Sequence, residues 1–143
     1  MMPNVWLESP QQKLKIWRKF RKDLLNIDDE EVLQAVIDWW KFAPINARVI
    51  DPYDSADWPN PWDLLYSGDY DENVITLGMA YTLELIDWPC EIKLIQDSNK
   101  SEVKLIILVD DEYILNYTYG IINKLEDISN CDILKSWDTE QLT

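Results

Sequence analysis

The side chains of this sequence that could do covalent or acid–base chemistry are two cysteines, Cys90 and Cys131, and twenty-seven carboxylates; no histidine accompanies them. Histidine is the usual general base near neutral pH and the commonest metal ligand. Its absence rules out a Ser-His-Asp or Cys-His pair within one chain. It also rules out a histidine-based zinc or iron site, and two thiols are too few for a four-thiolate site. What remains is carboxylate chemistry or binding without chemistry. Asp69, Asp71 and Asn73 resemble the start of a calcium loop, yet its sixth and twelfth positions hold Val74 and Ala80 in place of glycine and glutamate. Asp71 reads better as a helix cap. Asp51, Asp54 and Asp57 could gather oxygens around magnesium, although their loop is rich in proline. A carboxylate pair for glycoside hydrolysis must flank a cleft at about 5–10 Å, which linear spacing does not define. The only glycines are Gly68, Gly78 and Gly120, so no glycine-rich phosphate loop exists. No cofactor or metal is expected.

The elements that must position these groups follow from periodicity. Ser9-Pro10 opens a helix that runs to about Leu25, with Leu14, Trp17 and Leu24 near helical spacing. Asp28 opens a second helix, with Glu31 completing an approximate capping box, and Pro44 stops it. Trp39 and Trp40 are expected to anchor a core. After an extended Ala47–Ile50 comes a proline-rich connection, in which Trp58 and Trp62 flank the cap of a short helix that Gly68 ends. Residues 71–87 read as a central helix, apolar nearly all round, where Gly78 implies close approach of another chain segment. The period then switches to strands at 91–96, 103–109 and 113–119, with turns at Asp97–Lys100 and Asp110-Asp111. The expected class is α+β: helices of the N-terminal half and a central helix packed on a small antiparallel sheet of about residues 90–119. One domain spans 1–143, with a basic helix at about 9–25, a core at about 28–125 and a polar C-terminal tail.

Charge is distributed unevenly. Six basic residues against Glu8 alone leave residues 1–22 at +5, and the remainder, with 7 basic and 26 acidic residues, at −19. Direct nucleic-acid binding by that body is disfavoured, because phosphates would meet like charge. The acidity serves solubility, or it marks a surface that receives a basic partner or imitates DNA. No apolar run approaches the roughly 18 residues that span a bilayer, and the first residues lack a secretory pattern. A soluble protein with unpaired thiols in a reducing cytoplasm is expected, without membrane contact.

The order helix, strand, strand, strand over residues 71–119 resembles the core of transglutaminase-like and papain-like cysteine enzymes. In that family a cysteine starts the central helix, a histidine sits on the second strand, and an aspartate or asparagine sits on the third. Here the helix start offers Asp71, Glu72 or Asn73, the strand Val103–Val109 has no histidine, and the third strand holds Asn116. The resemblance therefore implies a fold retained after catalysis was lost.

Trp58–Leu65 and Leu77–Leu83 are also similar to small proteins of large tailed bacteriophages of the T-even type. That resemblance implies a viral protein, found in the virion or the host cytoplasm. The expected function is that of a non-enzymatic minor structural or assembly component, which binds other phage or host proteins. Trp17, Lys13, Arg18, Arg21, Trp58 and Trp62 are the candidate contact residues, since tryptophan and arginine anchor interfaces. One alternative is an acidic, DNA-mimicking inhibitor of a host nucleic-acid enzyme. Another is a carboxylate-dependent hydrolase near Asp51–Asp57.

Overall fold

The computed structural model describes residues 4–46, 50–68, 70–98 and 102–142. Four helices precede five strands: α1 (Pro10–Leu24), α2 (Asp29–Trp40), α3 (Pro61–Ser67), α4 (Glu72–Leu85), then β1 (Glu91–Asp97), β2 (Glu102–Val109), β3 (Tyr113–Leu115), β4 (Asn123–Lys124) and β5 (Cys131–Asp138). The class is α+β, with helices packed on an antiparallel sheet of order β4-β3-β2-β1-β5.

Local chemistry sets the helix starts. Ser9 Oγ accepts from the Gln12 amide at 3.3 Å, with Pro10 in the first turn. Asn60 Oδ1 accepts from the Asp63 amide at 2.8 Å, and Gly68, at φ 70°, ends α3 in the left-handed region. Asp28 caps α2 by position only, without the side-chain hydrogen bond that the expected capping box requires. Asp29, Glu30 and Glu31 in its first turn favour the helix dipole instead.

α4 is the axis of the core. Every residue from Val74 to Leu83 is buried, with the sheet on one side and α2 and α3 also against it. The close approach at Gly78 is with Trp40, whose ring lies 2.5 Å from where a Cβ would stand. Thr82, one turn on, accepts hydrogen bonds from two indoles, Trp17 Nε1 at 3.0 Å and Trp40 Nε1 at 2.9 Å, and donates to the Gly78 carbonyl at 2.7 Å. One hydroxyl thereby fixes α1 and α2 onto α4. Of the paired tryptophans, Trp40 is fully buried, whereas Trp39 is half-buried and stacks on Phe20 at 5.3 Å.

Two sequence expectations are corrected. The segment read as a polar tail forms β5, which pairs with β1 along its length, with a register shift between Leu94 and Ile95. Most of its side chains face solvent, so it carries no apolar alternation for a sequence to show. The third strand ends at Leu115 rather than 119. Asn116 turns to φ 65°, which an asparagine tolerates, and the chain leaves the sheet there. The expected extended segment Ala47–Ile50 and the calcium-like run starting at Asp69 fall largely or partly outside the described residues. No helix among the described residues is long and apolar enough to cross a membrane.

Candidate functional site

The N-terminus of α4, the start of β2 and the residues after β3 converge on one cleft. All three side chains at the helix start are engaged. Asp71 is buried; its Oδ1 accepts from the Val74 amide at 2.6 Å and its Oδ2 from the Ile50 amide at 3.0 Å. Asn73 Oδ1 accepts from the Leu105 amide at 3.0 Å and ties the helix to β2. Glu72 points to the cleft mouth, where Lys104 Nζ meets its Oε1 at 2.7 Å. The same ammonium donates to the Tyr117 carbonyl at 3.3 Å.

Asn116 completes the group from the third strand's end. Its Nδ2 donates to Thr76 Oγ1 at 2.7 Å and to the Glu72 carbonyl at 3.2 Å. The Thr76 hydroxyl lies 3.0 Å from the Leu105 carbonyl. The left-handed backbone of Asn116 is what turns its amide onto the helix. Beyond it, Tyr117 donates its phenol proton to Asp97 Oδ2 at 2.9 Å, and that hydrogen bond raises its pKa above the usual tyrosine range. Glu72, Asp97, Glu102, Lys104, Tyr117, Thr118 and Tyr119 line a cleft of about 370 Å³. A smaller, more apolar hollow of about 100 Å³ shares Glu72 and Tyr119 with it and reaches Ile45, Ile75 and Met79. A ligand at the cleft mouth would meet an ion pair, an amide and tyrosines. An ammonium in an ion pair has three donors and no lone pair with which to take a proton, and the Cys131 thiol lies 3.9 Å from the Tyr117 hydroxyl.

The contact residues read from the sequence separate. Trp17 is fully buried, and Lys13 is buried beside Gly68 at the end of α3, where desolvation lowers its pKa. Trp58 is also buried; it donates to the Asp51 carbonyl at 2.8 Å and packs edge-on against Trp137 at 4.7 Å. These three serve the interior. Arg18 is exposed, Trp62 is half-exposed, and the Arg21 guanidinium lies over the Trp17 ring at 4.6 Å. Trp62 packs on Trp17, so the proline-rich loop sends its two tryptophans to opposite neighbours. Asp51 and Asp54 use one oxygen each on turns of their own loop, accepting from Tyr53 and Ala56. Among the described residues no three Asp, Glu, Cys or His side chains gather as a metal site would need.

The Glu72–Lys104 pair was missed from the sequence, where Lys104 is one polar residue in an apolar strand. Glu72 and Asn116 were legible only through the family resemblance.

No protein-family model and no curated protein matches the sequence. Solved structures do. Calcium-bound LapG of Legionella pneumophila superimposes with a TM-score of 0.72 over 91% of this chain and 77% of its own, at 14% identity. A second LapG structure gives a TM-score of 0.71 at 16% identity, covering 90% of this chain and 74% of that one. The fold is transglutaminase-like. Within this fold, the start of α4, the strand β2 and the turn after β3 are the elements that bring Glu72, Lys104 and Asn116 together.

Proposed function

We propose that this chain is a non-enzymatic protein-binding module built on a transglutaminase-like fold, a minor structural or assembly component of a tailed phage. One observation carries the non-enzymatic part: the three elements that would present nucleophile, base and orienting group instead present a salt-bridged glutamate, its lysine partner and an asparagine bound to the helix. Covalent catalysis of the cysteine-enzyme kind needs a thiol within hydrogen-bond reach of an imidazole, and the Glu72–Lys104–Asn116 network holds neither group. The phage context rests on the likeness of Trp58–Leu65 and Leu77–Leu83 to proteins of such viruses. Virion or host cytoplasm is the corresponding location, and other phage or host proteins are the partners.

The hydrolase alternative is weakened, because the carboxylates of Asp51 and Asp54 cap their own loop. An inhibitor that imitates DNA has one feature in its favour, five carboxylates around a single cleft formed by Glu91, Asp110, Asp111, Asp138 and Glu140. The test is mass spectrometry of purified particles beside the soluble fraction of infected cells. Fixed stoichiometry with capsid or tail proteins is expected. Recovery only in the soluble fraction, on a host nuclease or polymerase and released by salt, would favour the inhibitor.

A further inference from the structure

Two clefts of opposite sign meet near one turn of the fold. The first lies at the end of α1, where Arg18, Arg21 and Lys22 surround an apolar floor of Leu25, Leu85 and Ile86. Arg18 and Lys22 are exposed and no ion pair or side-chain hydrogen bond engages them among the described residues; the buried Nε of Arg21 has no acceptor either. Desolvation and, after it, the nearby Arg18 lower the Arg21 pKa, so three cations share this groove with one carboxylate, Asp87. Leu25 is 67% exposed. The second cleft is lined by Glu91, Asp110, Asp111, Asp138 and Glu140, with a volume of about 330 Å³.

Asp87 belongs to the basic groove and Pro89 to the acidic cleft. Two residues of chain span at most about 7 Å, so the clefts adjoin across the Asp87-Trp88-Pro89 connection. Trp88 Nε1 donates to Asp110 at 3.2 Å and pins that connection to the acidic side. A patch with adjacent positive and negative halves is complementary to itself under a two-fold axis. Each copy's basic groove then faces the other's acidic cleft, and the exposed Leu25 side chains are covered in the same step. In a chain of net charge −14, general repulsion opposes association, so the contact needs this local pairing of signs.

We propose that the protein forms a two-fold dimer in which the Arg18–Arg21–Lys22 groove of each copy receives the Asp138–Glu140 edge of the other's acidic cleft. The Glu72–Lys104 cleft takes no part, so this inference stands or falls separately from the reading of that cleft. The experiment is sedimentation of the full chain and of two charge-reversed variants. One is Arg18→Glu with Lys22→Glu; the other is Asp138→Lys with Glu140→Lys. All four positions are exposed, and circular dichroism checks each variant's fold.

The native chain is expected to dimerise at low ionic strength and to dissociate at about 0.5 M salt, where the screening length falls to a few ångströms. Each variant alone is expected to be monomeric, and an equimolar mixture of the two is expected to form the dimer again, because one contact then keeps its native signs and the other is restored with its signs exchanged. A native chain that stays monomeric at low salt overturns the proposal. So do variants that remain dimeric, a mixture that stays monomeric, and a monomer whose groove instead captures polyglutamate. If either reversal unfolds the chain, the milder pair Arg18→Gln with Lys22→Gln and Asp138→Asn with Glu140→Gln gives the same decision through a weakened, less salt-sensitive dimer.

Discussion

Lys104 Nζ lies 2.7 Å from Glu72 Oε1 and joins the second strand to the start of the central helix across the mouth of a cleft. Glu72 is half-exposed, with 50% of its side-chain surface accessible, whereas Lys104 keeps only 13%. The two partners therefore differ in what their loss costs. Glu72→Gln should cost about 1 kcal/mol, the upper end for exposed pairs, since the ammonium it leaves without its carboxylate is only 13% accessible. Lys104→Met should cost no more, because it removes the less hydrated charge and keeps the aliphatic stem. Urea unfolding of both variants checks this; a loss well beyond that range for Glu72→Gln would show that the pair holds the fold as well as the cleft.

Thr82→Val tests the hydroxyl shared by Trp17 and Trp40. The change keeps the shape and leaves two buried indole N–H groups without acceptors. At about 1–3 kcal/mol for each unsatisfied donor, a loss of about 2–6 kcal/mol is expected. Thr82→Ser keeps the acceptor and should lose only about 1 kcal/mol for the missing methyl. Equal losses for the two variants would show that packing, and not the hydrogen bonds, dominates there.

Gly78→Ala sets two effects against each other. Alanine gains about 1 kcal/mol of helix propensity, but its Cβ would stand 2.5 Å from the Trp40 ring. That ring is fully buried and held by Thr82, so it cannot swing aside. Overpacking of about 1–3 kcal/mol, at the upper end for so rigid a neighbour, should outweigh the gain and lower the melting temperature. A variant more stable than the native chain would contradict the packing described.

Burial pushes the Cys90 thiol up to about 12 from 9.0 and the Tyr81 phenol up to about 12 from 10.0. Both groups are neutral at pH 7 and ionise earlier in the unfolded chain than in the folded one. Their contribution to stability is therefore complete below about pH 9 and declines as pH rises from 9 towards 12. Thermal melts between pH 8 and 11 should show that decline. Iodoacetamide at pH 8 should modify Cys131, which is partly exposed, before Cys90, which is buried. Faster labelling of Cys90 would place the thiol outside the core.

Legibility in the sequence followed burial. α4 could be read because it is apolar nearly all round and Gly78 demanded a close neighbour, and both features are tertiary facts written into composition. β1 and β2 were legible for the same reason, with their inward residues apolar. β5 was not, since it sits at the sheet edge with Ile133 and Leu134 exposed among polar residues, and its place depends on hydrogen bonds to β1. At the site, neither the spacing of Glu72 and Lys104 nor their types indicated a pair; 32 residues and a strand crossing separate them. Trp17 and Trp58 can be read from the sequence as core or as contact, and their indole partners, Thr82 and the Asp51 carbonyl, place them inside.

The central claim, that this chain is non-enzymatic, is tested most directly by incubating the purified chain with a peptide library derived from a denatured host proteome. New peptide termini and new amide cross-links are then read by mass spectrometry. The account predicts neither above the level of a protein-free control, and no difference between the native chain and Glu72→Gln. Cleavage or cross-linking by the native chain that disappears in Glu72→Gln would contradict it.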